Sequence, residues 1–410
     1  MITIQYLEDS PELLNLSPQL VGEKLNQAFQ SLPITHLLIG WNLPAPIFDI
    51  CRKITDKNGL KFIRWHPLLT GDDNFYPKPE WQVVGLNNQK VPGFQNMPEF
   101  TFVCPNHPEA NDVILNNLQK IVDSDLYDGI FLDRIRFPSP AANPLHHLGC
   151  FCSHCQKAAD KIGIDLKNLQ KSLLHFTTTP FGKISLVQSL LGNLTPDFDP
   201  ESLGQILPWL AFRCDSINHF AEKIAAILRP AGFEIGLDCF SPGLTSLVGQ
   251  NIGTLSKHAD WIKIMCYAHT LGPAGLPFEI LGLFEFLTQD AAMHPEEALK
   301  LLSTSMQIPL PGNKDLLITS GLSSNALALE IKKGMSAAKI PLLAGLELVE
   351  IPGVSNLNNE QIIRDHHTVK NLGVDGLSIS WDLWNIPQNR LNLLSTIWCD
   401  SQKIGRFHEN

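Results

Sequence analysis

Three carboxylates sit at or near the ends of apolar, strand-like runs. Asp133 closes YDGIFLD (127–133), Asp238 lies in FEIGLDC (233–239), and Glu347 lies in LLAGLELVE (342–350). If these runs lie side by side, the three acids converge on one pocket. Such a set suits hydrolysis of a glycosidic bond, in which one carboxyl protonates the leaving oxygen while another attacks the anomeric carbon or activates water. Asp133 then reads as nucleophile or charge stabiliser, and Asp238 or Glu347 as general acid. Glu350 is one residue off the inward parity and ranks below Glu347. His66, Arg136, Tyr267, His269, Trp381, Asp382 and Trp384 complete the candidate sugar site, because aromatic faces give a pyranose a flat apolar platform and polar tips bond its hydroxyls. A lone Asp at a strand end is ordinarily a cap or an arginine partner, which is how Asp128 reads.

A second constellation is CFCSHC at 150–155. Cys150, Cys152 and Cys155, with His146, His147 and His154 alongside, have spacing that lets thiolates close on one Zn²⁺ and staple a loop with little core of its own. The fourth ligand would be one of the histidines or a distant cysteine. Thiolate sites are usually closed, so this metal would be structural, and catalysis by carboxylates needs no cofactor. Three reduced cysteines packed under a loop is the alternative.

The elements that must position these residues follow one rhythm, a short Ile/Leu/Val-rich run and then a helical pattern. The runs are 2–6, 34–41, 60–66, 128–133, 233–239, 261–267, 342–350 and 374–381. Helical spacing marks 210–228 and also 359–372, with Asn359 as N-cap and Gly373 just past the last turn. Eight strands, each followed by a helix, predict an α/β fold of the (β/α)8 TIM-barrel type over 1–410, with a doubly wound open sheet as the runner-up. Connections from helix to strand are short. Those after strands are long at 67–109 (strand three), 135–208 (strand four) and 268–290 (strand six), which favours the C-terminal rim as the site. Within 67–109, WQVVGLNNQKV reads as a hairpin turning at Asn87-Asn88, either folded over the mouth or a surface excursion.

Alternation along strands predicts which side chains face inward. The pairs are Arg64 with His66, Gly236 with Asp238, Lys263 with Tyr267, and Gly345 with Glu347, joined by Ser378, Ser380 and Asp382 on strand eight. Helices cover the outer face with apolar surface, so polar sets belong inside. Arg64 and Lys263, both mid-strand, read as core ion pairs.

Composition excludes other classes. The 410 residues carry 31 Lys+Arg against 41 Asp+Glu, a net charge of −10, whereas nucleic-acid binders have a basic surplus. No run approaches the roughly 18 apolar residues of a membrane span, and MITIQYLEDS lacks the basic-then-apolar pattern of a leader. Nine cysteines is an odd number, and reduced thiols fit a cytoplasmic protein. Oligomeric state is not legible.

The strand-four segment Asp128-Gly129 through Asp133 to Arg136-Phe137-Pro138 resembles the DG-x-x-x-D-x-x-R-[FY]-P motif of a family of glycoside-hydrolase-like TIM barrels. The likeness continues through FVCPNHPE (102–109), CFCSHC (150–155), GLDCFSP (236–242), DWIKIMCYAHTLGP (260–273) and GLSISWDLW (376–384), and so spans most of the chain. It implies a carbohydrate substrate, with catalytic acids at Asp133 and Asp238. The strand is also similar to the DG-x-D-x-D-x-E of family-18 chitinases, but Ile135 stands where that family has its catalytic Glu. Two rival readings are a non-catalytic barrel that binds a glycan or a protein through the same mouth, and a metal-dependent hydrolase of a sugar acyl or amide group using His66 and His269.

Overall fold

The computed structural model describes residues 1–7, 16–71, 75–141, 143–192, 200–355 and 357–399. Parts of the long connections 67–109 and 135–208, namely 72–74, 142 and 193–199, lie outside the described residues. Eight parallel strands form one closed barrel: β1 (Ile2–Tyr6), β2 (His36–Ile39), β3 (Lys61–Pro67), β4 (Gly129–Asp133), β5 (Glu234–Cys239), β6 (Trp261–Met265), β7 (Leu342–Glu347) and β8 (Gly376–Ser380). Each pairs with the next, and β8 returns to β1, with Thr3 opposite Ser378. All eight expected runs are strands, because each is apolar on both faces as a helix-covered barrel requires. This is the (β/α)8 TIM barrel.

Helices between the strands bury their apolar stripes outside the barrel. Helix Asn359–Leu372 is capped one residue earlier than the spacing suggests, by Asn358, whose side chain accepts from Gln361 N while Gln361 reaches back to the Asn358 amide. Gly373 follows at φ 68°, the left-handed stop expected of it. The region expected as helix 210–228 belongs to a longer helix, Pro200–Leu228. Among the described residues no helix is long and apolar enough to cross a membrane.

The barrel interior holds its own packed layer of Leu38, Ile63, Trp65, Phe131, Trp261 and Leu343. Phe131 and Trp261 stack with ring centroids 5.0 Å apart. Gly236 beside them has no room for a side chain, since a Cβ there would lie 2.2 Å from the Trp261 ring. At Gly345 a Cβ would lie 2.5 Å from Lys263 Cε and 2.9 Å from Ile264 O, so the Lys263 side chain runs close over the glycine along the interior.

Strand three departs from the expected parity. Ile63 and Trp65 face inward, and Arg64 and His66 face the outer layer. Arg64 Nη1 donates to the Tyr127 hydroxyl at 3.0 Å, and its guanidinium lies 5.5 Å from that ring's centroid. The premise that an outward charge goes unpaired therefore fails here, and the interior takes the larger aromatic ring instead. His66 is buried, and burial with the nearby Arg64 charge holds its imidazole down at about 3, so it is a neutral packing residue.

The expected hairpin forms around Asn87-Asn88, with Val84 bridged to Lys90 and Asn88 at φ 63°. It packs on the post-β4 insertion, where Gly85 bridges Gly149 and Phe151 N donates to Val84 O at 2.9 Å. The chain just after the hairpin, 94–100, is what covers the barrel mouth.

Candidate active site

A cavity of about 410 Å³ opens at the C-terminal ends of the strands, and both Asp133 and Asp238 line it. Asp133 ends β4, half-buried, and its Oδ1 accepts the Arg134 amide at 2.6 Å. Arg134 adopts φ 54°, a left-handed conformation uncommon for a side chain of this size. From there its guanidinium donates to Thr70 Oγ1 and to Glu99 O, and lies over the rings of Phe100 and Trp65 at 4.2 and 5.8 Å. The turn that aims Asp133 at the cavity thus also pins the covering segment.

Asp238 lies deeper, on β5. Lys263 Nζ donates to its Oδ2 at 2.9 Å and to Gln5 Oε1 at 3.1 Å, while Oδ1 has no partner among the described residues. Burial pushes the Asp238 carboxyl up to about 7; Lys263 opposes the rise, and the charge of Asp133 adds to it. Burial works against the Lys263 charge, but Asp238 and Tyr267 more than offset it, so the ammonium persists above the ordinary lysine range. Gln250 ties the two acid-bearing strand ends together, donating to Ile135 O and to Asp238 O while accepting from Phe240 N.

The walls are aromatic. Trp41 stacks on Trp65 at 4.4 Å, and Tyr267 lies against Trp381 with centroids 5.9 Å apart. Phe94, Met97 and Phe100 of the covering segment close the side above Asp133. Arg136 lines the same cavity, sandwiched between Phe102 and Phe240 at 4.8 and 4.4 Å. Burial lowers its guanidinium to about 10, against the support of Asp133, Glu279 and Asp238.

Of the acids and side chains expected at the mouth, the structure brings together Asp133, Asp238, Arg136, Tyr267 and Trp381. Glu347, His66, His269, Asp382 and Trp384 lie elsewhere. Glu347 is buried and turns its Oε1 to the His269 amide at 2.6 Å. His269 is held in turn by Asp365 through Nε2 at 2.8 Å and by Ser320 O through Nδ1. Asp382 accepts from Leu7 N and Asn385 Nδ2, each at 3.0 Å, and so fixes a loop. Trp384 packs on the outer core. His66 and His269 therefore do not form a metal pair at the rim. Residues the sequence reading missed are Trp41, Trp65, Arg134 and the covering segment. Lys263, expected as a core ion pair, makes that pair with the candidate acid itself.

A fourth cysteine stands beside the three of the loop. Cys104, on the post-β3 loop, joins Cys150, Cys152 and Cys155, and all four Sγ atoms lie within 4.8 Å of one another. Cys104 is 3.4 Å from Cys155 and 3.5 Å from Cys152. Tetrahedral Zn²⁺ with Zn–S near 2.3 Å wants sulfurs roughly 3.8 Å apart, so the set fits. Amide donors already point at the sulfurs, from Val84 N to Cys150 and from Cys155 N to Cys152, each at 3.4 Å. None of the histidines enters the cluster: His146 bonds Asn87, and His154 packs on His107 at 4.2 Å.

No protein-family model and no curated protein matches this chain. Solved structures do resemble it. The glycoside hydrolase domain of PgaB (BpsB) from Bordetella bronchiseptica superposes at TM-score 0.56 with 12% identity, over 97% of this chain and 98% of that one. A β-galactosidase from Marinomonas ef1 matches at 0.60 with 11% identity over 98% of this chain and 60% of its own length. The catalytic domain of β-amylase from Paenibacillus polymyxa matches at 0.52 with 12% identity over 98% of both. At these identities the likeness is one of fold.

Proposed function

We propose that the protein is a glycoside hydrolase whose carboxyl pair is Asp133 and Asp238. The observation that carries the reading is that both acids line one aromatic-walled cavity; burial, with the charge of Asp133 adding to it, holds the Asp238 carboxyl up to about 7. Two carboxyls whose surroundings differ in this way divide into an acid and a base. Asp238 keeps a proton near neutrality on Oδ1, the oxygen that Lys263 leaves free, and donates it to the glycosidic oxygen. Asp133, fed by the Arg134 amide and facing Arg136, acts as the anion that attacks the anomeric carbon or activates water. Trp41, Trp65, Tyr267 and Trp381 supply the stacking faces. That other barrels of this shape are named glycoside hydrolases agrees with the reading, which rests on the site. The test is reducing-sugar release from a panel of α- and β-glucans and amino-sugar polymers, comparing wild type with a folded Asp133→Asn. Cleavage by wild type alone supports the reading, and equal release or none overturns it.

The four-cysteine cluster is assigned to structural Zn²⁺, held by Cys104, Cys150, Cys152 and Cys155. A closed tetrathiolate leaves no open position for chemistry. What it would do is join the post-β3 loop to the post-β4 insertion, both of which frame the mouth. Nine unpaired cysteines suit a reducing compartment such as the cytoplasm.

A further inference from the structure

Gln5, on β1, lines the same cavity as the two acids, and its side chain is buried. Its oxygen is used twice: Oε1 accepts from Lys263 Nζ at 3.1 Å and from Ser380 Oγ at 3.0 Å. The oxygen and nitrogen of a side-chain amide are told apart by their neighbours, and here one neighbour decides. The Lys263 ammonium donates and cannot accept, so the atom that faces it is the oxygen. Nε2 is therefore turned away from Lys263 and Ser380. It has no hydrogen-bond partner among the described residues, yet it is not one of the polar atoms that the protein seals off unpartnered, as it does the Thr270 hydroxyl on the same cavity. What is left of its surface is open to a ligand. The same ammonium holds Asp238 Oδ2 at 2.9 Å, so the amide and the acid are fixed to each other through one cation.

Resting on the glycosidase reading above, we propose that Gln5 is a specificity residue, whose Nε2 donates to one hydroxyl oxygen of the sugar ring bound nearest Asp238. The donor reads that ring position against two alternatives. A deoxy position leaves a buried N–H without a partner, which costs affinity. A free amine, protonated at neutral pH, brings a second donor up to the first, with the Lys263 ammonium behind it. A neutral hydroxyl is what the position selects.

The test is calorimetric titration of the full chain with the methyl α- and β-glycosides of glucose, galactose and mannose, and with their analogues in which each hydroxyl in turn is replaced by hydrogen or by an amine. On wild type, both replacements are expected to weaken binding at least about tenfold at one ring position. Gln5→Leu, which removes the donor, should bring that loss below about twofold there and leave the pattern at the other positions as it was. Gln5→Glu keeps an oxygen toward Lys263 and Ser380, and so tests the same contact with the interior network preserved. In that variant the amine should bind more tightly than the hydroxyl at the position concerned. No discriminating position on wild type, the same discrimination in Gln5→Leu, or an unreversed order in Gln5→Glu overturns the role of Gln5 and leaves the glycosidase reading standing. Binding of none of the parent glycosides overturns both.

Discussion

Lys263 Nζ donates to Asp238 Oδ2 at 2.9 Å inside the barrel, its side chain running close against Gly345. The pair gives the deeper acid one occupied and one free oxygen. Because Lys263 favours the ionised form of Asp238, the proton affinity of this acid is a compromise between burial, which raises it, and that cation, which lowers it.

A pH dependence follows. A general acid raised from the ordinary carboxylate range to about 7 is active below that point and lost above it, so the alkaline limb of kcat/KM should centre near pH 7. Lys263→Met removes the cation that favours ionisation, so the limb should move to higher pH. A pH–rate profile of the two proteins, with circular dichroism to confirm folding, reads the shift. A limb that stays put or moves down contradicts Asp238 as the acid.

Glu347 makes a different prediction. Buried against the His269 amide, its carboxyl is held up to about 7 by burial, so the folded protein takes a proton that the unfolded chain releases near the ordinary glutamate value. Its folded pKa is raised, so below the unfolded value it changes nothing. Between that value and about 7, stability falls as pH rises. Glu347→Gln removes this loss, so its stability relative to wild type should improve from pH 5 to pH 8, by about 3 kcal/mol at most, and its thermal midpoint should rise relative to wild type over the same range. Thermal scans across that range show it, and a pH-independent difference contradicts it.

The sulfur cluster predicts one Zn²⁺ per chain by elemental analysis of protein purified under reducing conditions. Cys104→Ser should lose the metal and lower the thermal midpoint by several degrees, because it unlinks two loops. Full metal content in that variant would contradict the four-sulfur assignment.

The stacking faces predict that Trp381→Ala weakens binding of a cleaved glycan roughly tenfold, about 1.4 kcal/mol. The loss should fall mainly on KM, since the ring touches the sugar before and during reaction alike. An unchanged KM would place Trp381 outside the sugar path.

Much of this architecture is legible in the chain. Each strand reads as an apolar run because both of its faces are covered, and Gly236 with Asp238 has the right parity because only glycine fits beside Trp261. What escapes the sequence is contact between distant segments. Arg64 and His66 look as alternating and polar as any inward pair, and it is the Tyr127 hydroxyl, on the connection into β4, that accepts from Arg64 outside. Glu347 ends its strand as expected, but the His269 amide on the post-β6 loop decides where its carboxyl turns. Cys104 lies 46 residues before the C-x-C-x-x-C run, a separation that no local spacing rule can bridge.

The Asp133–Asp238 pair is tested most directly by the kinetics of Asp133→Asn, Asp238→Asn and the double variant, measured on one glycan that wild type cleaves, with folding verified for each. Each single variant should lower kcat/KM by at least about 100-fold, and the double should fall well short of the product of the two losses, because the acids act as a unit. Wild-type kcat/KM in either single variant would contradict the pair.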